Sequence, residues 1–556
     1  MKNLIRSGFV FLLLAGLAFG QGRALTVEDY YKIKTVGSPE ISPSGKWVSF
    51  TVATKMEEDN TTATETYVVP FDGSAPPRKI QHEGKDVASP RWTDENMLEY
   101  SLNARVASAV FLGSVGMGEA QRGGGPGGQG AGQPRWKVSV DTPSATPVRS
   151  EPRPQGAVLS SDGRWIAQAK EKPRVTPTPT YASDFEKRHM ERFKGKQFDW
   201  MRFQQDGQEF PTPDPRLRPA SEITITPAAG GESKELTTLG LRPSNLAWHP
   251  NGTLIAFTGD EGWKNEQEYE DPDIYTVGTD GKVTRLTNDG YVWSSLAYSP
   301  DGKFLLSERT FGTDMIIKQK LNHGGSDDLL LWPVGGGAAV NLTEKWDLEP
   351  NGPRWSPDSR YIYFTAEKGG TTHLFRIAPR AGAPVEQVTQ GERRLGGINF
   401  DKAMTKMTYT VGMHEAPSEV WVANIDSTGE RKLTNMLADT VREIGFSKAD
   451  RLKWKSYDGT EIEGWLLYPH GYSREKGPYP MIVNSHGGPH SAVGYGFNFK
   501  QQYFAANGYF VFDTNFRSST GYGDAFKWAT WGAWVPKTDR TSSRASTTSA
   551  RIIRSI

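Results

Sequence analysis

The residues best suited to chemistry stand in the stretch from Tyr479 to His490, which reads Y-P-M-I-V-N-S-H-G-G-P-H. An apolar run that ends in a glycine pair predicts a buried strand that stops abruptly. Backbone N–H groups after such a strand can point into a cleft and hold the negative oxygen of a tetrahedral intermediate. His486, Gly487 and Gly488 are therefore candidates for an oxyanion hole, and the same residues also fit an ordinary glycine turn.

A second apolar stretch and a second glycine-bearing loop follow this motif. The segment 510–513 (F-V-F-D) predicts another buried strand, and 517–524 reads R-S-S-T-G-Y-G-D. H-G-G-P-H followed by A-N-G-Y-F-V-F-D-T-N-F-R-S-S-T-G-Y-G resembles the prolyl oligopeptidase family of serine peptidases, especially its acylaminoacyl-peptidase and dipeptidyl-peptidase-like branch. The resemblance implies a β-propeller joined to a C-terminal α/β-hydrolase domain, and peptide substrates. It also makes Arg517 and Tyr522 candidates for lining the substrate pocket.

The catalytic machinery of a serine hydrolase is not found in the printed residues. Such an enzyme needs a nucleophile on a Gly-x-Ser-x-Gly elbow, followed by an acid and a histidine. The sequence contains no Gly-x-Ser-x-Gly, and no histidine follows His490. We therefore expect the Ser, Asp and His of the triad to be absent and the chain as written to be inactive.

The final segment, 535–556, lacks the apolar periodicity of the residues before it. If one G were restored after the Trp534 codon, Val-Pro-Lys-Thr becomes Gly-Thr-Lys-Asp, and a later stretch becomes Asp-Val-Ile-Ala-Gly-Ile-Asp-Tyr-Val. The restored phrase has the spacing of an amphipathic helix. We expect a frameshift or sequencing error that truncates the domain, with a natural low-complexity tail as the alternative; resequencing this codon decides between them.

The segment 25–440 repeats one pattern: an apolar or aromatic pair, a Ser-Pro-Asp-Gly-like turn, and a strand rich in aromatic and β-branched residues. Proline presets φ in such a turn and glycine accepts a positive φ. The turns recur at Ser44, Asp94, Asp162, Asn251, Asp301, Asp358 and, in degenerate form, Asp401. Similar closing phrases end in Thr237, Thr287, Thr343, Thr389 and Thr434. The shorter spacings match propeller blades of about 40–50 residues, so seven or eight blades are predicted, with an array of β-sandwiches as the alternative.

Two insertions interrupt the repeats. The glycine-rich segment 121–134 cannot bury a core and is expected to be a flexible loop. The segment 181–210 is aromatic and charged and predicts a helix or helix pair projecting from a blade. In dipeptidyl peptidases of the family such an insertion carries paired glutamates for the substrate's amino terminus. The adjacent pair is missing from 204–209 (Q-Q-D-G-Q-E), which argues against strict dipeptide release.

Composition limits the other possibilities. Lys and Arg total 65 and Asp and Glu total 64, which gives no electrostatic reason to expect nucleic acid or an anionic membrane as a partner. The chain has no cysteine, so disulfides and thiolate metal sites are excluded. The scattered histidines lack metal-ligand spacing and the acidic run 266–273 lacks an EF-hand pattern, so no metal or other cofactor is expected.

The N-terminus predicts export to the periplasm or the medium. Lys2 and Arg6 precede the apolar run 9–19, and Ala18-Phe19-Gly20 offers small residues where signal peptidase needs them; Gly22-Arg23-Ala24 offers a second site. The run is short for a membrane anchor, which is the alternative reading. After cleavage no stable membrane insertion is expected.

These observations predict a signal peptide (1–24), a β-propeller (25–440), a partial α/β-hydrolase domain (441–534) and an aberrant, frameshifted tail (535–556). The function they favour is an exported serine-type peptidase for short peptides, aminoacyl- or dipeptidyl-peptidase-like. The alternative is a non-catalytic envelope propeller that binds a partner, like the propeller of TolB-type proteins. The segment 452–534 separates the two, since a pure binding propeller has no reason to carry it.

Overall fold

The computed structural model of the 556-residue chain describes residues 22–102, 105–107, 134–142, 145–150, 156–174, 180–193, 201, 203–204 and 214–532. Three sequence expectations lie wholly or almost wholly outside these residues: the leader up to residue 21, the loop 121–134 except its last residue, and the tail 535–556. Within the described part of the chain, no helix combines the length and apolar character needed to cross a bilayer.

Seven groups of antiparallel strands follow one another from residue 35 to residue 432 and are called sheets 1 to 7. Sheet 1 contains β1 (Thr35–Ile41), β2 (Trp47–Met56), β3 (Thr61–Pro70), β4 (Arg78–His82) and β5 (Lys85–Asp86). Sheet 2 contains β6 (Ala88–Asp94), β7 (Met97–Ser101), β9 (Arg135–Ser139) and β10 (Val148–Ser150), while β8 (Arg105–Ala107) pairs with β3. Sheet 3 contains β11 (Val158–Leu159), β12 (Trp165–Glu171), β13 (Ser221–Pro227) and β14 (Lys234–Glu235).

The remaining groups are more regular. Sheet 4 contains β15 (Ser244–Trp248), β16 (Leu254–Gly259), β17 (Asp273–Gly278) and β18 (Val283–Arg285). Sheet 5 contains β19 (Tyr291–Tyr298), β20 (Phe304–Phe311), β21 (Asp328–Pro333) and β22 (Val340–Asn341). Sheet 6 contains β23 (Asn351–Trp355), β24 (Ile362–Lys368), β25 (Thr371–Ile377) and β26 (Glu386–Gln387). Sheet 7 contains β27 (Arg394–Phe400), β28 (Lys406–Met413), β29 (Ala416–Asn424) and β30 (Arg431–Lys432), and one parallel bridge joins it to sheet 6.

Helices are few and short. The described α-helices are α1 (Asp184–Phe193), α2 (Thr313–Gln319), α3 (Ala438–Glu443), α4 (Phe499–Ala506) and α5 (Asp524–Lys527). Three 3-10 helices span Val27–Tyr31, Pro215–Leu217 and Arg474–Lys476. The first α-helix lies between β12 and β13, so the described start of the predicted insertion 181–210 is helical, as expected from its sequence.

The repeated turns connect the first and second strands of their sheets, as the sequence predicts. In sheet 5 the hydroxyl of Ser299 accepts the N–H of Phe304 (3.0 Å) and donates to Asp301 (2.7 Å). Gly302 adopts a φ of +72°, the region that favours glycine. The same hydroxyl-to-backbone bond recurs in sheets 1, 3 and 6, at Ser42, Ser160 and Ser356. The Ser-Pro-Asp-Gly pattern therefore encodes a tight turn whose polar groups hydrogen-bond to one another.

The closing phrases have an equally specific structural cause. In five sheets, a buried threonine hydroxyl after the last strand accepts the backbone N–H of a residue in the third strand, at 2.9–3.0 Å. In sheet 4, Thr287 accepts from Ile274 and donates to the carboxylate of Asp273 (2.7 Å). The hydroxyl thus satisfies a buried backbone donor and one oxygen of the Asp273 carboxylate, whose other oxygen pairs with Arg285. The five threonines are Thr237, Thr287, Thr343, Thr389 and Thr434.

Sheet 7 packs against sheet 1, which closes the succession of sheets into a ring. Val36 and Phe50 of sheet 1 share one apolar cluster with Val420 and Val422 of sheet 7. No pairing between described strands contributes to this closure, since β1 pairs only with β2. Hydrogen bonds supplement the packing, for example from the N–H of Lys402 to the carbonyl of Pro43 (3.2 Å). Neighbouring sheets are also joined by indole N–H groups that donate to a carbonyl of the preceding sheet, for example Trp355 to Ala297 (3.1 Å).

After sheet 7 the chain forms a sheet of a different kind, called sheet 8. It contains β31 (Ala449–Lys455), β32 (Glu461–Leu467), β33 (Met481–Ser485) and β34 (Phe510–Asn515), in the order β31-β32-β34-β33. β33 and β34 are parallel, and α4 connects them in a β-α-β crossover. Because parallel strands end at the same edge, the loops after β33 and β34, which carry the two glycine motifs, are neighbours.

Candidate active site

The glycine pair begins where β33 ends. His486 is buried, whereas Gly487 and Gly488 are exposed. Within the described residues, the backbone N–H groups of both glycines donate no hydrogen bond. A Cβ on Gly487 would meet open space, and Gly488 adopts a φ of +135° that disfavours other residues. The turn therefore presents two uncommitted backbone donors at the edge of the sheet.

His486 pairs with the second loop. Its Nε2 lies 2.8 Å from the hydroxyl oxygen of Ser519, and its ring stacks on Phe516 with centroids 4.6 Å apart. Burial lowers the pKa of His486, so the imidazole is neutral near pH 7. The Nδ1 of the same ring lies 3.0 Å from the carbonyl oxygen of Gly487, and the hydroxyl oxygen of Ser519 also lies 2.7 Å from the carbonyl oxygen of Phe516. Since Ser519 is fully buried, this pair fixes two loops together and does not present a nucleophile.

The chain beyond the glycine pair is held by Asn515, a residue that our sequence analysis missed. Its side-chain oxygen accepts the N–H of Val493 (2.8 Å), and its amide nitrogen donates to the Val493 carbonyl (2.8 Å) and to the Tyr522 hydroxyl (2.6 Å). Asn515 is fully buried. Its side-chain amide hydrogen-bonds both the N–H and the carbonyl of Val493, as the backbone of a neighbouring strand would. The sequence did contain one sign of this role, because Asn515 is a polar residue at the end of a strand predicted to be buried.

Sheets 6 and 7 contribute a second anchor. Arg394 forms an ion pair with Glu367 and donates to the carbonyl of Ala492 (2.9 Å). Glu367 also accepts the hydroxyl of Thr520. This pair therefore contacts both glycine-bearing loops at once, and only the tertiary structure brings its two residues to them.

Arg517, a predicted pocket residue, is engaged elsewhere. It is 2% exposed, forms an ion pair with Asp458, donates to Ser456 (3.2 Å) and lies over the ring of Tyr457. These partners belong to the turn between β31 and β32. Arg517 thus ties the second glycine loop to the entry hairpin of sheet 8.

Tyr522, the other predicted pocket residue, lines a cleft of about 370 Å³. Its hydroxyl donates to Glu463 and accepts from Asn515. The cleft lies between sheet 6 and the β31–β32 hairpin. Its charged lining residues are Lys368, Glu392, Arg451, Lys453, Glu461 and Glu463.

A buried carboxylate lies behind the site. Asp513 on β34 is 3% exposed and accepts the side-chain amide of Asn484 on β33 (2.7 Å). Desolvation raises the pKa of Asp513 to about 7. Across the described residues, no cluster of three or more His, Asp or Glu side chains is arranged to hold a metal ion.

The chain is similar in sequence to known peptidases. It is 24% identical over 528 residues to dipeptidyl-peptidase 5 of Porphyromonas endodontalis, which covers 91% of this chain and 69% of that protein. It is 23% identical over 412 residues to the uncharacterized peptidase YuxL of Bacillus subtilis, which covers 58% of this chain and 62% of that protein. The chain therefore spans roughly two thirds of the length of these relatives. No family model matches it.

Solved structures share the fold. The acylaminoacyl peptidase of Pyrococcus horikoshii superposes with a TM-score of 0.64 at 16% identity, covering 95% of this chain and 72% of that chain. A puromycin hydrolase superposes with a TM-score of 0.57 at 14% identity, covering 96% and 74%. Sheets 1 to 7 accordingly form a β-propeller. A relative named as a dipeptidyl-peptidase along nine-tenths of the chain, and solved peptidases with its fold, support a prolyl oligopeptidase-family peptidase.

Proposed function

We propose that the chain belongs to an exported serine-type peptidase that acts on short peptides, aminoacyl- or dipeptidyl-peptidase-like. Sheets 1 to 7 serve as seven blades of the propeller, and sheet 8 serves as the N-terminal part of an α/β-hydrolase domain. The observation that carries the proposal is the pair of uncommitted N–H groups at Gly487 and Gly488, at the carboxyl end of a strand in a parallel pair.

Those donors suit an oxyanion hole. A hole works only when its donors are fixed before charge develops, because reorganisation during the reaction would cost the stabilisation it provides. The amide of Asn515 and the guanidinium of Arg394 fix the loop that follows the glycine pair. The contact between His486 and Ser519 links the same turn to the loop after β34.

The cleft beside Tyr522 is the proposed peptide-binding site. A short peptide is a zwitterion, with an ammonium group at one end and a carboxylate at the other. The cleft offers carboxylates such as Glu392 and cations such as Lys368. Glu392 is well placed to receive an ammonium group, since its side chain is 71% exposed and only loosely paired with Arg451 (3.6 Å).

These 556 residues on their own bind peptides without cleaving them. Hydrolysis needs a nucleophile and a general base, and the sequence has no Gly-x-Ser-x-Gly elbow. Export rests on the charged and apolar pattern of the first 24 residues.

Calorimetric titration with a tripeptide, and with the same tripeptide N-acetylated, tests the site. We expect binding of both, and a several-fold loss in the Glu392→Gln variant for the free-amine peptide only. Glu475→Gln, an exposed change outside the cleft, serves as the matched control. Absence of binding to the parent chain would contradict the proposal. Binding that no change in the cleft affects would favour a non-catalytic propeller of the TolB-like type.

A further inference from the structure

Residues Gly22 to Ala24, inside the leader expected from the sequence, are built into the fold. Arg23 forms a parallel bridge with Ile444, in the segment that leads from sheet 7 to sheet 8. The N–H of Arg23 donates to the carbonyl of Glu443 (3.0 Å), and the N–H of Gly445 donates to the carbonyl of Arg23 (3.0 Å). The start of the described chain is therefore hydrogen-bonded to the junction between the propeller and sheet 8.

Two glycines permit this close approach. A Cβ on Gly22 would lie 2.6 Å from the carbonyl oxygen of Glu443, and a Cβ on Gly445 would lie 2.7 Å from the carbonyl oxygen of Gly22. Both distances are shorter than real Cβ contacts allow, so a side chain at either position would push the strands apart. Gly22 thus has a structural role that a discarded leader residue does not need.

Arg23 neutralises a buried charge. Its guanidinium makes a two-pronged contact with Asp29, at 2.6 and 2.8 Å, and a further bond to Glu443 (2.9 Å). Asp29 is completely buried, and its bond to Arg23 holds its pKa well below the usual range. Without Arg23, the cation nearest this carboxylate is Lys32, at 3.4 Å on a largely exposed side chain. Removing Arg23 alone would leave a buried charge without its main partner. Such a change lowers the free energy of unfolding more than replacing both members of a buried ion pair.

The adjacent apolar residues extend the same tie. Leu25 and Ile33 are buried in one cluster with Ile444, against which Phe499 and Tyr503 of α4 pack. The N-terminal segment therefore contacts the crossover helix of sheet 8.

We infer that the leader is removed between Gly20 and Gln21, so that Gly22 to Ala24 stay in the exported protein as a tie at the domain junction. The inference rests on the proposed export. Ala18-Phe19-Gly20 and Gly22-Arg23-Ala24 both satisfy the small-residue rule for signal peptidase, and only the first cut preserves the contacts of Arg23. The leader then ends at residue 20 and not at the residue 24 expected from the sequence.

The intact mass of the chain recovered from the periplasm or medium of an exporting host tests the cut directly. A mature N-terminus at Gln21 supports the inference, and one at Leu25 overturns it. Full-length unprocessed chain would overturn the proposed export and the inferred cut together, and the stability comparison below then tests the tie by itself.

Thermal unfolding of leaderless chains produced in the cytoplasm provides that comparison. We expect the chain that begins at Gln21 to unfold several degrees above the chain that begins at Leu25. Arg23→Gln in the longer chain should reproduce much of the loss, and adding Asp29→Asn should restore part of it. Lys448→Gln, an exposed change away from Asp29, is the control. Equal midpoints for the two chain lengths, or for Arg23→Gln and its parent, would overturn the inference.

Discussion

The imidazole Nε2 of His486 lies 2.8 Å from the hydroxyl oxygen of Ser519, yet the two do not form a nucleophile and its base. The serine has no exposed surface, and its hydroxyl oxygen also lies 2.7 Å from the carbonyl oxygen of Phe516. A nucleophile must reach a bound carbonyl and transfer its proton to a base. The contact joins the loop after β33 to the loop after β34.

Reaction with a fluorophosphonate probe checks this assignment. We expect the 556-residue polypeptide to remain unlabelled, and Ser519→Ala to behave like its parent, because the sequence has no Gly-x-Ser-x-Gly elbow and Ser519 is fully buried. An active serine peptidase labelled in parallel shows that the probe is competent. Stoichiometric labelling of Ser519, mapped by mass spectrometry, would contradict the structural role.

Asn515→Ala should loosen the loop that follows Gly488. The change leaves the N–H and carbonyl of Val493 without partners, which costs about 1–3 kcal/mol of the free energy of unfolding. Amide hydrogen exchange should accelerate locally in residues 487–495. Asn507→Ala, at the exposed end of α4, is the comparison. An unchanged exchange rate in the loop would show that other contacts hold it.

Thr287→Val tests the closing hydrogen bonds of the propeller blades. Valine keeps the shape but leaves the N–H of Ile274 and the carboxylate of Asp273 short of a partner, so we expect a loss of about 1–3 kcal/mol. Thr287→Ser retains the hydroxyl and should cost much less. Urea unfolding of the three proteins measures the difference, and equal losses for valine and serine would mean that the methyl group matters and the hydroxyl does not.

Asp513→Asn should change how stability depends on pH. The pKa of Asp513 is about 7 in the folded chain and near 3.8 when unfolded. Between these values the folded state holds a proton that the unfolded state has released, so stability falls as pH rises from about 4 to 7.

Asparagine does not titrate, so the stability of the variant should not fall in this way. Relative to the parent, its free energy of unfolding should rise by about 1–4 kcal/mol as pH rises through this window. Asp439→Asn, whose side chain is 90% exposed, should show no such trend. Parallel pH–stability curves for Asp513→Asn and the parent would rule out a raised pKa.

The sequence was sufficient to predict the local units of this fold. Proline, aspartate and glycine in the repeated turns encode their own hydrogen bonds, and the closing threonines recur at fixed places in the blades. An apolar run before a glycine pair indicated β33 and its turn for the same reason: each pattern is satisfied within a few residues or one hairpin. The repeats therefore pointed to a propeller followed by a different kind of domain.

The tertiary structure decided what these units meet. It paired Arg517 with Asp458 and placed Tyr522 in the lining of the cleft. It also brought Glu367 and Arg394 to loop residues that lie 153 and 98 positions away in the sequence. Arg23, in a segment that the sequence assigns to a leader, became the partner of buried Asp29. Ion pairs and side-chain amides carry no periodicity, and their partners are set by how separate sheets pack, so local patterns do not predict them.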